Sequence, residues 1–272
     1  MHKRQGQPYL RKGRPAVWHN EDLQSWSPLR RKVPQMMGFK GRALVTDPDV
    51  FAIGDVFELL NVDMKGKAIL CRNISEGYKG NGHAFYASSV MLLDCSLLTH
   101  WRWDEEIDQM FKMELDYGPW IGLQAEDPES IGEIGEEWNS FDKLTPETKL
   151  LHTTERVTQP WKTGLPIDFN LNIHSIRSPM PSSARSLIGG LIRDLSNMFT
   201  MEKAVRTHSG EKYQPHPDPT QEKLFFELLR GAMEEDFIDE GFLRKHIKEN
   251  NVRHDAFDVL EAIGYRAQCS SG

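Results

Sequence analysis

Two carboxylates stand one residue apart in the stretch "VTDPDVF": Asp47 and Asp49, separated by Pro48 and preceded by the apolar run Ala43-Leu44-Val45. A short apolar run that stops on acids reads as a buried strand with a polar carboxyl end. In open α/β sheets, ligands gather beyond the carboxyl ends of strands. Two carboxylates there offer the oxygen ligands that Mg²⁺ or Mn²⁺ takes, and such an ion can bridge a diphosphate. The same triplet also reads as a plain Asp-Pro turn, since both residue types favour turns.

Other groups become interesting beside that pair. His152 follows the apolar run Leu150-Leu151, and imidazole suits Mn²⁺ as a ligand. A strand-end histidine taken alone reads as structural. Downstream of it, Arg156, Lys162 and the backbone around Gly164 offer cations and pliable chain for a phosphate. Upstream, Arg30-Arg31-Lys32 either grips a phosphate or solvates the surface. Ser88 and Ser89 stand near the start of the long apolar stretch "AFYASSVMLLDC", where they either bond a polar ligand or simply pack. Trp138 and Asn139 in "EEWNSFD" either wall a sugar, aromatic face against hexose, or anchor the core.

These residues need elements to position them. Strands are expected over 42–47, 66–73, 83–95 and 148–154, the third nearly all apolar and therefore central in a sheet. "DVFELL" (55–60) and "DEEIDQMFKMEL" (104–115) have helical spacing, the second with acids in its first turn. Residues 159–181 hold four prolines and read as an irregular crossing segment. Helices follow over 182–199, capped by Ser182 or Ser183, and over 220–237, capped by Thr220. Two shorter helices come after them, the last closed by Gly264. Strands alternating with helices imply an α/β sheet with strand ends grouped on one edge. The expected parts are a basic tail (1–20), an α/β core (21–181) and a helical region (182–272) packed on that core.

Bulk properties narrow the setting. The chain has 272 residues and a net charge of −7, with 39% hydrophobic and 27% charged residues, as befits a globular protein. Residues 1–42 carry ten Lys/Arg against two acids, so +8, which leaves −15 for the remainder. Such a basic end is either a solvated tail or a contact for a polyanion, an anionic lipid surface or a phosphorylated ligand. No motif defines a nucleic-acid site. Three dispersed cysteines argue against a disulfide framework and for a reducing cytoplasm, peripheral to a membrane if the basic end touches one. No secretory signal is evident, and no apolar run approaches the ~20 residues of a membrane helix.

Taken in order, the elements resemble the GT-A fold glycosyltransferases, specifically family 8 (the glycogenin and lipopolysaccharide-galactosyltransferase-like family). The resemblance is carried by a cation ahead of a strand ending in DxD, "GDVFELL", "FYASSVMLLDC", "EEWNSFD" and "KLLHTTERVTQPWKTG", over about residues 22–165. It implies that Asp47, Asp49 and His152 bind Mn²⁺ (or Mg²⁺). It implies that Arg30 and Arg156 or Lys162 face a nucleoside diphosphate, and that Ser88, Ser89 and Asn139 lie near the sugars. It implies a mixed sheet flanked by helices with residues 21–181 as the catalytic core, a nucleotide-diphosphate sugar donor and a glycan, lipid or protein acceptor. Ser88-Ser89 stands where the family has Asn/Ser-Gly, and Gln159 where it has Lys. The family's opening strand–helix–strand unit takes ~30 residues or more. The residues before Asp47 do not spell it, so the first nucleotide-binding strand is expected to be missing or replaced. Two other readings stand beside this one. A phosphohydrolase of the haloacid-dehalogenase type would use Asp47 as nucleophile and Asp49 as acid/base. A degenerate transferase-like domain would bind without catalysing.

Overall fold

The computed structural model describes residues 4–20, 22, 25–75, 85–169 and 211–266. It divides into two compact units, Met1–Thr154 and Glu155–Gly272.

The first unit opens with a hairpin. Strands β1 (Pro8–Arg11) and β2 (Arg14–Val17) pair antiparallel, with Arg11 opposite Arg14. Lys12 and Gly13 form the two-residue loop, both at positive φ (51° and 72°), which is the twist that such a hairpin requires. This stretch, expected as part of a basic tail, is folded onto aromatic rings. Tyr9 and Trp18 are buried; Trp18 meets Phe111 and Tyr9 meets Tyr117 edge-on, at centroid distances of 5.6 and 5.8 Å. Arg4 and Arg11 lie over the Phe111 and Tyr117 rings at 5.0 and 5.3 Å. Their charge made the segment read as solvated, whereas their guanidinium faces cover the aromatic cluster.

A 3-10 turn (Ser27–Lys32) runs into the short helix α1 (Val33–Met36), and strand β3 (Arg42–Thr46) follows. Strand β4 (Val50–Ala52) and helix α2 (Val56–Leu60) come next, then β5 (Ile69–Ile74) and β6 (Phe85–Asp94). Helices α3 (Trp103–Phe111) and α4 (Tyr117–Ile121) precede three short strands, β7 (Ile131–Glu133), β8 (Ser140–Phe141) and β9 (Leu150–His152). Two mixed sheets result, ordered β3-β6-β5-β7 and β4-β9-β8. Their parallel pairs are β5 with β7 and β8 with β9. The α/β class is as expected, a mixed sheet flanked by helices. Strand β6 is central and buried on both faces, as its apolar run implies. Met91 and Leu93 enter a cluster with Ile69, Leu98, Trp101 and Leu123, whereas Val90 and Leu92 pack with Leu59, Met64 and Leu150 on the other side.

The second unit is helical in its last part: α5 (Pro219–Glu234), α6 (Glu240–Lys248) and α7 (Ala256–Ala262) share a core of Phe226, Met233, Leu243 and Leu260. The cap of α5 is Asp218 rather than Thr220. Its carboxylate accepts from the Thr220 backbone N–H at 2.9 Å and from the Thr220 hydroxyl at 2.6 Å, because Pro219 fills the first helical position. Gly264 closes α7 at φ 94°, as expected. The helix expected over 182–199 lies outside the described residues. Among the described residues, no helix is long and apolar enough to cross a membrane.

One buried ion network ties the 3-10 turn to the first unit. Arg31, 3% exposed, lies between the Trp101 and Trp120 rings at 4.0 and 5.2 Å. It donates to Glu126 at 2.8 Å and Glu106 at 2.9 Å. Glu126 also accepts from Trp101 Nε1 at 2.9 Å and meets His100 Nε2 at 2.7 Å. Burial alone would raise the Glu126 pKa, but Arg31 and His100 outweigh it and hold the carboxyl below its ordinary range. A depressed carboxyl contributes stability above its unfolded pKa, ~4.3, and loses it as pH falls through the folded value. We expect Glu126→Gln to lower the urea midpoint of the first unit near neutrality. The gap from wild type should close as pH falls below about 4. A gap that persisted unchanged well below that pH would count against the assignment.

Candidate functional site

Strand register assembles the site. β3 pairs antiparallel with β6, and the Asp47 N–H continues that ladder to the Ser89 carbonyl at 2.8 Å. The Val50 N–H then donates to the Asp47 carbonyl at 3.2 Å, closing a tight turn over Asp47–Val50. The turn reading and the site reading of Asp-Pro-Asp are therefore the same object. β4 starts immediately after Asp49 and pairs with β9 so that Val50 stands opposite His152. The Thr153 N–H and hydroxyl both donate to the Asp49 carbonyl at 3.1 Å. A close approach keeps this small sheet in place: Gly54 lies where an added Cβ would stand 3.2 Å from the Lys149 Cα, and its N–H donates to the Lys149 carbonyl at 3.0 Å.

Asp47, Asp49 and His152 consequently converge, each offering one ligand atom within 4.8 Å of the others. Two ligands on opposite sides of an ion at ~2.1 Å stand ~4.2 Å apart, so small side-chain adjustments would close the group on an ion. The chemistry of the donor set fits: two hard carboxylates and one imidazole suit Mn²⁺. A second observation points the same way. Oδ1 of Asp47 is buried and has no hydrogen-bond partner. Its companion Oδ2 accepts from Arg30 at 2.6 Å. Burial, the largest influence, outweighs Arg30 and pushes the Asp47 carboxyl up to about 6. A carboxylate held in so poor an environment gains from a further cation. His152 Nε2 stands 3.4 Å from Asp49 Oδ1.

Arg30 is the cation that the site already contains. Its guanidinium donates to Asp47 and, at 3.0 Å, to the Ser88 hydroxyl, and it lies over the Trp26 ring at 4.9 Å. Arg30 and Arg31 leave the same 3-10 turn in different directions, Arg31 to the tryptophan cage and Arg30 to Asp47. Lys32 lies over Trp103 at 4.4 Å. The serines are aimed by a break in the sheet. Along β5 and β6 the pairing passes from Cys71–Met91 to Arg72–Ala87, so Ser88, Ser89 and Val90 are extra residues on β6 at that point. Such bulges redirect side chains and recur beside active sites. Ser88 donates to the Ile121 carbonyl at 2.9 Å. Ser89 accepts from the Asn139 amide at 3.0 Å.

The remaining expected site residues divide. Asn139 is fully buried, and its amide holds Ser89 and His152. Trp138 packs on the Leu59–Val90–Leu150 cluster, the core-anchor alternative. Arg156 and Lys162 belong to the second unit. There Lys162 donates to Asp168 at 2.6 Å and to the Asn250 carbonyl at 3.0 Å, and Asp168 accepts from the Tyr213 hydroxyl at 2.6 Å. Arg72, Phe141 and Trp26 carry no signal in the sequence alone. Arg72 and Trp26 lie in no motif, Phe141 stands in "EEWNSFD" with nothing to mark it out, and only the cross-strand register could have placed Arg72 and Phe141 near His152.

No family model and no curated protein matches the chain. Solved structures do. A galactosyltransferase LgtC, in complex with donor and acceptor sugar analogs, is 14% identical over 50% of this chain and 60% of its own, with TM-score 0.38. The glycosyltransferase GlyE of Streptococcus pneumoniae is 14% identical over 70% of this chain and 48% of its own, with TM-score 0.39. Mouse xyloside xylosyltransferase 1 in its apo form is 16% identical over 54% and 67%, with TM-score 0.35. The chain thus spans between about half and two thirds of each. Likenesses this loose carry no argument about function, which has to come from the geometry of the site.

The Arg30–Asp47 pair is open to a double-mutant cycle. Arg30→Met leaves a buried carboxylate uncompensated and is expected to destabilise the first unit by about 3 kcal/mol in urea titrations. Adding Asp47→Asn to it should restore most of that loss. Strictly additive effects would show that the two side chains do not interact.

Proposed function

We propose that this chain is a metal-dependent glycosyltransferase of GT-A type, moving a sugar from a nucleoside-diphosphate donor to a hydroxyl of a glycan, lipid or protein acceptor. One observation carries the reading: Asp47, Asp49 and His152 converge, with the buried Asp47 Oδ1 left unpartnered and Arg30 bonded to its companion oxygen. The order of sequence motifs that led to family 8 supports the same assignment. Asp47 and Asp49 would hold the ion by oxygen and His152 by Nε2. A divalent ion bound there neutralises charge that builds on the departing nucleoside diphosphate.

The chain's own residues have separate tasks. Arg30, oriented by the Trp26 face and the Ser88 hydroxyl, would face the donor diphosphate as a fixed cation. A guanidinium in that position makes charge-assisted hydrogen bonds to phosphate oxygens. Ser89 and Asn139 serve the site through other side chains. Arg156 and Lys162 are assigned to the donor diphosphate on the sequence resemblance alone. Cys71 and Cys95, buried as free thiols, accord with a reducing compartment.

Thermal-shift titration with UDP, GDP and their sugars, with and without Mn²⁺, tests the reading. Wild type should gain Mn²⁺-dependent stability from one nucleotide series, about 2.7 kcal/mol at a ligand concentration a hundredfold above Kd. Asp47→Asn and Asp49→Asn should each lose that gain together with Mn²⁺-dependent turnover of the sugar nucleotide. Full retention in either variant would remove it from the metal site. An aspartyl-phosphate trapped at Asp47 would replace the transferase reading with a phosphohydrolase. No shift with any nucleotide would leave a non-catalytic domain.

A further inference from the structure

The imidazole of the site is held in an unusually complete way. His152, 7% exposed, places Nδ1 3.1 Å from Oδ1 of Asn139. An amide oxygen offers only lone pairs, so Nδ1 carries the proton in that bond. The amide is fixed in this sense by its other end. Nδ2 donates to the Ser89 hydroxyl at 3.0 Å and faces the Ala87 carbonyl at 3.5 Å. A reversed amide would turn its oxygen toward that carbonyl and an N–H toward Nδ1. Asn139 is fully buried, so water cannot relieve the mismatch.

Arg72 secures both neighbours of the ring. Its Nη1 donates to the Asn139 main-chain carbonyl at 2.7 Å, and its guanidinium lies over Phe141 at 5.1 Å. Phe141 in turn meets the imidazole edge-on, with centroids 5.3 Å apart at 83°. Arg72 is itself paired with Glu136 at 3.3 Å. With the proton on Nδ1, the neutral ring turns the Nε2 lone pair toward Asp49 Oδ1, 3.4 Å away. Two lone pairs face each other there, and a cation shared between them makes that arrangement favourable.

We propose that Asn139 is a positioning residue, held by Ser89 and Arg72, that fixes His152 as the Nδ1–H tautomer and so presents Nε2 as the nitrogen ligand of the Asp47–Asp49 site. The identity of the bound ion rests on the glycosyltransferase reading; the tautomer does not. Outer-shell partners that orient a ligating histidine are commonly worth 10–100-fold in metal affinity. A committed nitrogen ligand favours Mn²⁺ over Mg²⁺, which prefers oxygen.

The test uses the full chain, ¹⁵N-labelled and metal-free, at alkaline pH. Long-range ¹H–¹⁵N correlation reads the His152 tautomer, assigned by the signal lost in His152→Gln. Wild type and Asn139→Asp, which keeps an acceptor for Nδ1–H, should show the Nδ1–H form; Asn139→Leu should not. Mn²⁺ affinity, read by electron paramagnetic resonance of the free ion, should fall about 10–100-fold in Asn139→Leu and stay near wild type in Asn139→Asp. Mg²⁺ affinity should fall less. An Nε2–H tautomer in wild type overturns the proposal, as does an equal loss of Mn²⁺ affinity in the two variants. Where Asn139→Leu does not fold, Ser89→Ala and Arg72→Met loosen the amide without removing it, and unchanged tautomer populations in both overturn it. A wild type that holds the Nδ1–H form and binds no Mn²⁺ overturns the metal reading while upholding the positioning of His152.

Discussion

Negative charge concentrated at one strand end is the constraint on which the first unit depends. Asp47 is buried beside a second carboxylate and a histidine, and an isolated ionised carboxylate in such a place is costly. Something positive must stand next to it. Arg30 does so, and much of the surrounding structure follows from keeping Arg30 there. The 3-10 turn that carries it is too short to hold itself. Its neighbour Arg31 anchors the turn by entering a cage of two tryptophans and two glutamates. Adjacent arginines on one turn thus divide the work between anchoring and compensation.

The second support is the irregularity of β6. Both faces of that strand are covered by core, which leaves no room for polar side chains in regular register. Ser88 and Ser89 are accommodated because the strand bulges there, and each hydroxyl then serves a different member of the site: Ser88 touches Arg30 and Ser89 touches Asn139. The bulge links the cationic side of the site to the imidazole side through consecutive residues.

Much of this was legible in the sequence, for definite reasons. The strand ending at Asp47, the apolar run of β6 and the strand before His152 are announced by local hydrophobic pattern, which needs no partner to interpret. The hairpin over 8–17 was not legible. Its aromatic residues sit among cations, and its stability comes from rings contributed by α3 and α4, far along the chain. The role of Asn139 was obscured for a related reason. A Trp-Asn pair in a short segment says nothing about burial, whereas the pairing of β8 with β9 decides that the amide faces the imidazole. Thr220 lost its expected capping position to Asp218 because Pro219 sets the first helical residue. Long-range register and single-residue backbone chemistry are where the local pattern ends.

The Asp-Pro-Asp turn has a mechanical consequence. The backbone of Asp47 belongs to the ladder of the four-stranded sheet, through Ser89, and the backbone of Asp49 belongs to the three-stranded sheet, through Thr153. Three residues therefore join the backbone ladders of the two sheets, beside the links that Arg72 and Ser89 make to Asn139. Any ligand that grips both carboxylates and the imidazole ties the two sheets together across that joint. Opening either sheet then requires releasing the ligand, so occupancy of the site makes two units of local unfolding behave as one cooperative unit.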